Sequence, residues 1–328
     1  MRLKDVAEAA GVSSCTASRA LNGTMLNKVS EETRQRIIEI ADSMGYRPNI
    51  MARGLAKKRT NLLGVLLPEI QTSFLPQTLE GIWHAAEEAG MAVLLYATDW
   101  STKKEENFLR QLLEWQVDAI VWFPSSYENI DLFKEVEQNT PIIQIFNTFE
   151  ELKSGKIILD NEKGGYLATK HLIDKGHTKI AHFAAIGNHS TPAGEERLEG
   201  YLRAMKEANL PINKHLIIDS GFTTEGGREA FEKVLVHKPT AIFACSDMTA
   251  WGVIQQANLR GLKVPQDIAV VGFDNLPISN LITPTVTTIE QPQKQFGELA
   301  VAQAVAALDN KPQEKVVLEP RLIERESS

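Results

Sequence analysis

The chain has 328 residues, 43% apolar and 23% charged, a globular profile with enough interior to fold without disulfide or metal staples. Its two cysteines, Cys15 and Cys245, exclude a disulfide framework and fit a reducing compartment. The N-terminal MRLKDVAEAAG is charged where a signal peptide is apolar, and no apolar run reaches the roughly 18 residues a membrane helix needs. A cytoplasmic protein of two or three domains, with no membrane partner, is expected.

The net charge of -7 is unevenly spread, with +5 on residues 1–60 and -12 on the rest. A basic head on an acidic body fits a nucleic-acid contact at one end, and it fits an ordinary solvated surface equally well. The details of the head decide between them. Leu3, Val6, Ala7 and Ala10 form one helical stripe, and Gly11 can supply the left-handed residue that ends the helix. Ser13 is placed to cap a second helix in which Ala17, Ala20 and Leu21 share one face. The opposite face holds Ser14, Cys15, Ser18, Arg19 and Asn22. Small hydroxyls, an amide and a single Arg suit close approach to a groove better than the Lys and Glu of an ordinary surface helix. Asn22-Gly23 then breaks the chain. Ser30 caps a third helix, Glu31 and Glu32 suit its positive end, and Ile37, Ile40, Ala41 and Met44 face inward. This is the helix-turn-helix plan, whose second helix enters the major groove of DNA.

LKDVAEAAGVSSCTASRALNG resembles the headpiece of the lactose-repressor (LacI/GalR) family of bacterial transcription regulators, whose usual wording is V-A-x-x-A-G-V-S-x-x-T-V-S-R-x-L-N. VSEETRQRIIEIADSMGYRPN and MARGLAKKRTNLLGV match that family too, and the similarity runs to the end of the chain. The resemblance implies a DNA-binding headpiece over 1–48. In it Ser14, Cys15 and Arg19 read base edges, while Ser13, Thr16, Ser18 and Asn22 hold phosphates. An Arg can fork onto guanine O6 and N7, and hydroxyls fix register without reading sequence. Two residues depart from the pattern. Ala17 replaces the common Val, and Cys15 is a poor donor at a base-reading position, better suited to a thymine methyl.

Residues 49–60 are expected to be a hinge and linker. IMARGLAKK (50–58) is shorter than the roughly 12 residues an isolated helix needs, and Gly54 costs about 1 kcal/mol against Ala, so folding on DNA is expected. The resemblance implies that two such helices enter the minor groove, with Ala52, Arg53 and Leu55 at the matching positions and Leu55 as an apolar wedge.

From Leu62 onward, β-rich runs at 62–68, 91–98, 118–124, 141–147, 156–160, 179–185, 216–221, 241–247 and 268–274 alternate with helical stretches. This spacing implies parallel sheets covered by helices, in two lobes of about five strands. The resemblance adds that the body, 61–328, has two Rossmann-like lobes like those of periplasmic sugar-binding proteins. It divides the body into an N-lobe of about 61–160 plus 291–318 and a C-lobe of about 161–290 plus 319–328.

Ligands of open α/β sheets bind beyond the carboxyl ends of the strands. Those ends carry Asp99, Asp160, Asp247 and Asp274, each of which reads equally well as a helix N-cap. Arg197 and Phe222 together suit vicinal hydroxyls and an apolar ring face. The resemblance places Phe74, Asp160, Arg197, Phe222, Asp247 and Asp274 at effector-pocket positions. Thr191 and Ala193 are read as part of a variable loop, without the extra Arg and Thr by which purine-responsive members hold a base. That favours a sugar or sugar-like effector over a nucleobase. Trp100, Trp122 and Trp251 could stack on a sugar, but core packing is the favoured role for each.

No GxxxxGK, GxGxxG or GxSxG occurs, the seven histidines lack metal-ligand spacing, and Glu195 with Glu196 make a weak acid/base pair. Neither an enzyme, a metal nor a cofactor is expected. A sugar-binding protein of a transport system is a second reading, disfavoured by the head and by the absence of an export signal. The favoured reading is a homodimeric, sequence-specific repressor of a pseudo-palindromic double-stranded operator, controlled allosterically by a small molecule between the lobes. With no leucine heptads after LEPRLIERESS, a dimer rather than a tethered tetramer is expected.

Overall fold

The structure, a computed structural model, describes residues 2–22, 28–47, 59–70 and 73–328. The expected hinge residues Ala52, Arg53 and Leu55, and the side chain of Asn22, lie outside the described residues. The chain divides into two compact units, Met1–Asn61 and Leu62–Ser328.

The first unit contains α1 (Leu3–Ala9), α2 (Ser14–Asn22) and α3 (Glu31–Ser43). Its core is Val6, Ala7, Ala10, Ala17, Ala20, Ile37 and Ala41, with Leu3, Leu21, Ile40 and Met44 packed around it. These are the inward stripes read from the sequence. Gly11 has φ +65°, which lets the chain turn out of α1. Ser13 Oγ accepts from Thr16 N at 3.1 Å, and Ser30 Oγ from Thr33 N at 3.3 Å, so a hydroxyl caps each following helix. Arg36 Nη2 donates to Ala10 O at 3.2 Å. That bond ties α3 to α1 by setting a cation on a carbonyl at the negative end of α1.

The second unit holds two six-stranded sheets. One contains β1 (Leu62–Leu67), β2 (Ala92–Ala97), β3 (Ala119–Trp122), β4 (Ile142–Ile145), β5 (Gly155–Leu159) and β11 (Lys315–Leu318), in the order β11-β5-β4-β3-β1-β2, all parallel. The other contains β6 (Ile180–Ala184), β7 (Ile217–Asp219), β8 (Ala241–Ala244), β9 (Ala269–Asp274), β10 (Thr287–Glu290) and β12 (Arg321–Ile323), in the order β12-β10-β9-β8-β6-β7. Only β12 runs antiparallel to its neighbour. The chain passes between the sheets after β5, after β10 and after β11. Sheets with helices on their faces must be apolar on both sides, and β3, β4, β6, β8 and β9 are buried throughout. Edge strand β2 is exposed or half-buried along its whole length. β10, β11 and β12 fall outside the nine runs marked in the sequence. They are TTIE, KVVL and RLI, short and broken by Thr, Glu, Lys or Arg, so no continuous apolar run marks them.

Helices α4 (Leu75–Glu88), α5 (Thr102–Glu114), α6 (Ile130–Val136) and α11 (Gln293–Leu308) cover the first sheet. Helices α7 (Asn161–Asp174), α8 (Pro192–Glu207), α9 (Thr224–Val234) and α10 (Asp247–Leu259) cover the second. One apolar cluster runs through both lobes, including Ile157 and Phe296 from the first and Ala168, Phe273 and Ile289 from the second. α7 and α8 meet backbone to backbone: a Cβ on Gly165 would lie 2.2 Å from Arg197 O, and one on Gly200 would lie 2.0 Å from Glu162 O.

Two local readings need correction. Trp100 is 55% exposed rather than core, because it follows edge strand β2 in a turn with φ +58°, whereas Trp122 is fully buried and stacks on Phe133 at 3.5 Å. Thr191 and Ala193 are not in a loop. Thr191 Oγ1 accepts from Gly194 N at 3.1 Å as the N-cap of α8, and Ala193 lies in that helix's first turn.

Candidate functional site: a polar-faced helix and a buried arginine clasp

Ala17 and Ala20, with Leu21 beside them, turn inward and leave the other face of α2 outward. Ser14 and Cys15 are exposed, and Thr16, Ser18 and Arg19 are half-buried. Ser13 Oγ and Thr16 Oγ1 lie 2.9 Å apart at its N-terminal end, and α2 contains no acidic residue. Ser13, Ser14, Cys15, Thr16, Ser18 and Arg19 thus give α2 and its cap a polar stretch with no acidic group.

In the body, the packing of α8 against α7 places Arg197. Gly165 lets the Arg197 backbone sit directly on α7, and the buried side chain then runs to the carboxyl ends of β8 and β9. Nε donates to Asn161 Oδ1 at 3.0 Å and Nη1 to Cys245 O at 2.5 Å. The guanidinium lies 3.6 Å over the Phe273 ring and 5.7 Å from that of Phe222. Nη1 stands 3.9 Å from Asp274 Oδ1, within ion-pair range. A guanidinium has five N–H donors, so these bonds leave its Nη2 end for a ligand. Burial lowers the Arg197 pKa, and the Asp274 charge opposes that shift.

Asp274 ends β9 with φ +113°, a conformation L residues rarely adopt and one that clusters at binding sites. Its Oδ1 accepts from Gln291 Nε2 at 2.5 Å, and its carbonyl from Gln293 Nε2 at 3.2 Å. Burial pushes its pKa up to about 7; Arg197 opposes the rise and Asp247 adds to it. Asp247 is spoken for by the protein. Its Oδ2 accepts from Leu276 N at 2.7 Å and Ser279 Oγ at 2.6 Å, and its Oδ1 from Thr288 Oγ1 at 2.6 Å. Burial raises its pKa to about 6 against those three bonds. The geometry makes Asp247 a brace for the turn after Asp274.

Of the other residues named from the sequence, Asp160 is the N-cap of α7, its Oδ1 accepting from Lys163 N at 2.8 Å. Its neighbour Asn161 is the residue that meets Arg197. Half-buried Phe222 follows β7 and lies beside Arg197. Phe74 belongs to the first lobe, edge-on to Phe146 at 4.8 Å, and Phe146 stacks on Phe296 at 4.2 Å. The structure therefore gathers Arg197, Asp274 and Phe222, sets Asp247 behind them, and places Phe74 in an aromatic group of the other lobe. Asn161, Phe273 and Gln291 were missed in the sequence. Asn161 and Gln291 each lie one or two residues past a strand's carboxyl end, which was the available signal.

Among the described residues no group of three His, Cys, Asp or Glu is placed to hold a metal ion, and no helix is long and apolar enough to cross a membrane. Residues 2–49 match the family described as bacterial regulatory proteins, lacI family, and residues 169–328 match a periplasmic binding protein-like domain. The chain is 37% identical over 332 residues to the HTH-type transcriptional regulator DegA of Bacillus subtilis (strain 168), covering 99% of this chain and 97% of that protein. It is 33% identical to the HTH-type transcriptional repressor PurR of Vibrio vulnificus (strain CMCP6), covering 99% and 98%. The lac repressor dimer bound to operator and the anti-inducer ONPF superposes with a TM-score of 0.89 at 25% identity, over 100% of this chain and 98% of that one. Members of this family regulate transcription and are not enzymes. With a lacI-type helical head, a binding-protein-like body and full-length relatives of this kind, the chain belongs to the lacI family of bacterial regulatory proteins and is a DNA-binding transcription regulator.

Proposed function

We propose that this regulator is a cytoplasmic repressor that grips a pseudo-palindromic operator as a homodimer and changes its grip when a sugar or sugar-like effector binds between the lobes. In this reading residues 1–48 are the headpiece, 49–60 the hinge and 61–328 the body, with the lobes divided as expected from the sequence. Arg19, Ser14 and Cys15 face base edges, the hydroxyls around them hold phosphates, and Leu55 wedges the minor groove. The observation that carries the effector assignment is the Arg197–Asp274 pair, 3.9 Å apart and buried against Phe273. A buried guanidinium beside a carboxylate offers donors and acceptors together, as vicinal hydroxyls require, and the neighbouring aromatic faces suit the apolar side of a sugar ring. The effector must prefer one body conformation, because equal affinity for both would shift nothing.

The test is operator selection from a randomised palindromic library with the full chain, followed by gel shift with monosaccharides, disaccharides and nucleobases. Selection of a symmetric site, with mobility changed by a sugar, is the expected result. No selected site overturns the DNA reading. A response to nucleobases alone overturns the sugar.

A further inference from the structure

Asp274 (φ +113°) and Asn275 (φ +53°) are consecutive left-handed residues, neither of them glycine. Such a turn persists only where its surroundings hold it. Asp247 grips one side of it, at Leu276 N and Ser279 Oγ. The other side hangs on Asn275. Its Oδ1 accepts from Arg325 Nη2 at 2.6 Å, its Nδ2 donates to Glu290 Oε1 at 2.9 Å, and its backbone N donates to Thr288 Oγ1 at 3.3 Å. Glu290 Oε2 in turn accepts from Arg321 Nε at 3.0 Å. Arg325, 50 residues from Asn275, is firmly seated. Its Nη1 donates to Val286 O at 2.7 Å and its backbone N to Thr287 Oγ1 at 2.9 Å. Two residues on, Ser327 O accepts from Val270 N at 2.7 Å and Ser327 N donates to Thr285 O at 3.0 Å.

We propose that Arg325 is a positioning residue of the effector site, fixing the Asp274 carboxylate by holding Asn275 in its left-handed conformation. The ligand, though not the geometry, rests on the effector reading above. Both Nη groups of Arg325 are bonded to protein acceptors, so it acts on the site through Asn275. Without the Arg325 bond, the Asn275 side chain keeps only Glu290, and the turn is free to relax toward an ordinary conformation that carries the Asp274 carboxylate with it. The planar fork of Arg suits two acceptors set apart, one on Val286 and one on Asn275, and a charged donor binds the amide oxygen more strongly than a neutral one. A Lys ammonium keeps the charge and lacks the fork.

The test is calorimetric titration of the full chain with D-ribose, D-glucose and cellobiose, alongside urea denaturation and hydrogen exchange. The variants are Arg325→Met, Arg325→Lys, Asn275→Gly and the double variant of Met and Gly. Glycine keeps the left-handed backbone and removes the side chain. Arg325→Met should weaken the sugar that wild type binds by about tenfold, the worth of one charge-assisted hydrogen bond, and Arg325→Lys should recover part of the loss. With Asn275→Gly already present, Arg325→Met should cost no further affinity, while it lowers the urea midpoint in both backgrounds because Val286 O loses its donor. Independent losses that simply add, or unchanged affinity in Arg325→Met, overturn the positioning role and leave the sugar reading standing. If none of the sugars binds wild type, the sugar reading fails on its own and exchange decides the positioning role. Amides 274–276 should then exchange about tenfold faster in Arg325→Met with β8 unchanged, the same bond lost as local opening. Equal exchange, or a rise shared by β8, overturns it.

Discussion

Arg197 and Asp274 meet at 3.9 Å with both side chains at least nine-tenths buried, a distance that joins them as an ion pair but not as a hydrogen bond. Two charges removed from water without closing on each other are costly, and the missing bonds are what a ligand hydroxyl can supply. Arg197→Ala strands Asp274, which typically costs about 3–5 kcal/mol. The loss should fall below that range, because a carboxyl with a pKa near 7 can take up a proton instead. The variant should lose its effector response and keep operator affinity within several-fold by gel shift. A normal response would remove Arg197 from the site.

The same pair should be visible in the pH dependence of stability. Burial raises Asp274 from 3.8 to about 7, so the folded state holds a proton the unfolded chain has released. Its contribution to stability is then full below about pH 3.8 and lost as pH rises through about 7. Between pH 6 and 8 the wild-type melting temperature should fall, and Asp274→Asn should flatten that slope, a difference on the order of 1–2 kcal/mol. Parallel profiles would mean that Asp274 is already ionised throughout.

The helical head could be read almost whole from the sequence, because its stripes, caps and Gly11 are all local signals. The central strands were equally plain, since a strand covered on both faces must be a continuous apolar run. β10 to β12 were not, because TTIE, KVVL and RLI are broken by polar or charged residues and their pairing is decided by distant chain. Site residues divided in the same way. Asp274 and Arg197 stood out as charges at strand ends or helix starts, while Asn161 and Gln291 are ordinary amides until the fold sets them against those charges. Asp247 looked like a ligand group and is bonded to Leu276, Ser279 and Thr288, all at least 29 residues away.

Gly200 tests whether α7 and α8 must touch. A methyl there would lie 2.0 Å from Glu162 O, a backbone atom that cannot swing aside. Gly200→Ala should force the helices apart at a cost of about 1–3 kcal/mol and displace Arg197 with them. Both a lower denaturation midpoint and weaker effector binding are expected. An unchanged midpoint would show that the packing relaxes freely.

His182 should govern acid stability of the second lobe. Its ring is fully buried, stacked with Phe243 at 4.5 Å and Tyr201 at 5.2 Å, with Nδ1 3.1 Å from Phe243 O and Nε2 unpartnered. Burial lowers its pKa from 6.5 to about 4. The unfolded chain therefore takes up a proton the folded one refuses, and stability present above pH 6.5 is lost as pH falls toward 4. The full loss is on the order of 3 kcal/mol. His182→Phe keeps the stack and removes this loss, so on going from pH 7 to 5, where Asp274 acts in the opposite sense, its melting temperature should change more favourably than that of wild type. Parallel pH profiles for variant and wild type would assign the acid loss elsewhere.

Arg19 is the only long cationic side chain on α2, so it is the residue with the reach and geometry to fork onto a guanine edge. The hydroxyls of Ser13 and Thr16 at the start of α2 can hold phosphates, which fixes register without distinguishing bases. Arg19→Ala should therefore relax preference at one base pair in each half-site, by about 1–3 kcal/mol, and leave the other positions as selective as before. Loss of a phosphate contact would look different: affinity would fall alike on all sequences and the salt dependence would become shallower. Competitive binding to single-base operator variants at two salt concentrations separates the cases, and a uniform loss would move Arg19 from base reading to backbone contact.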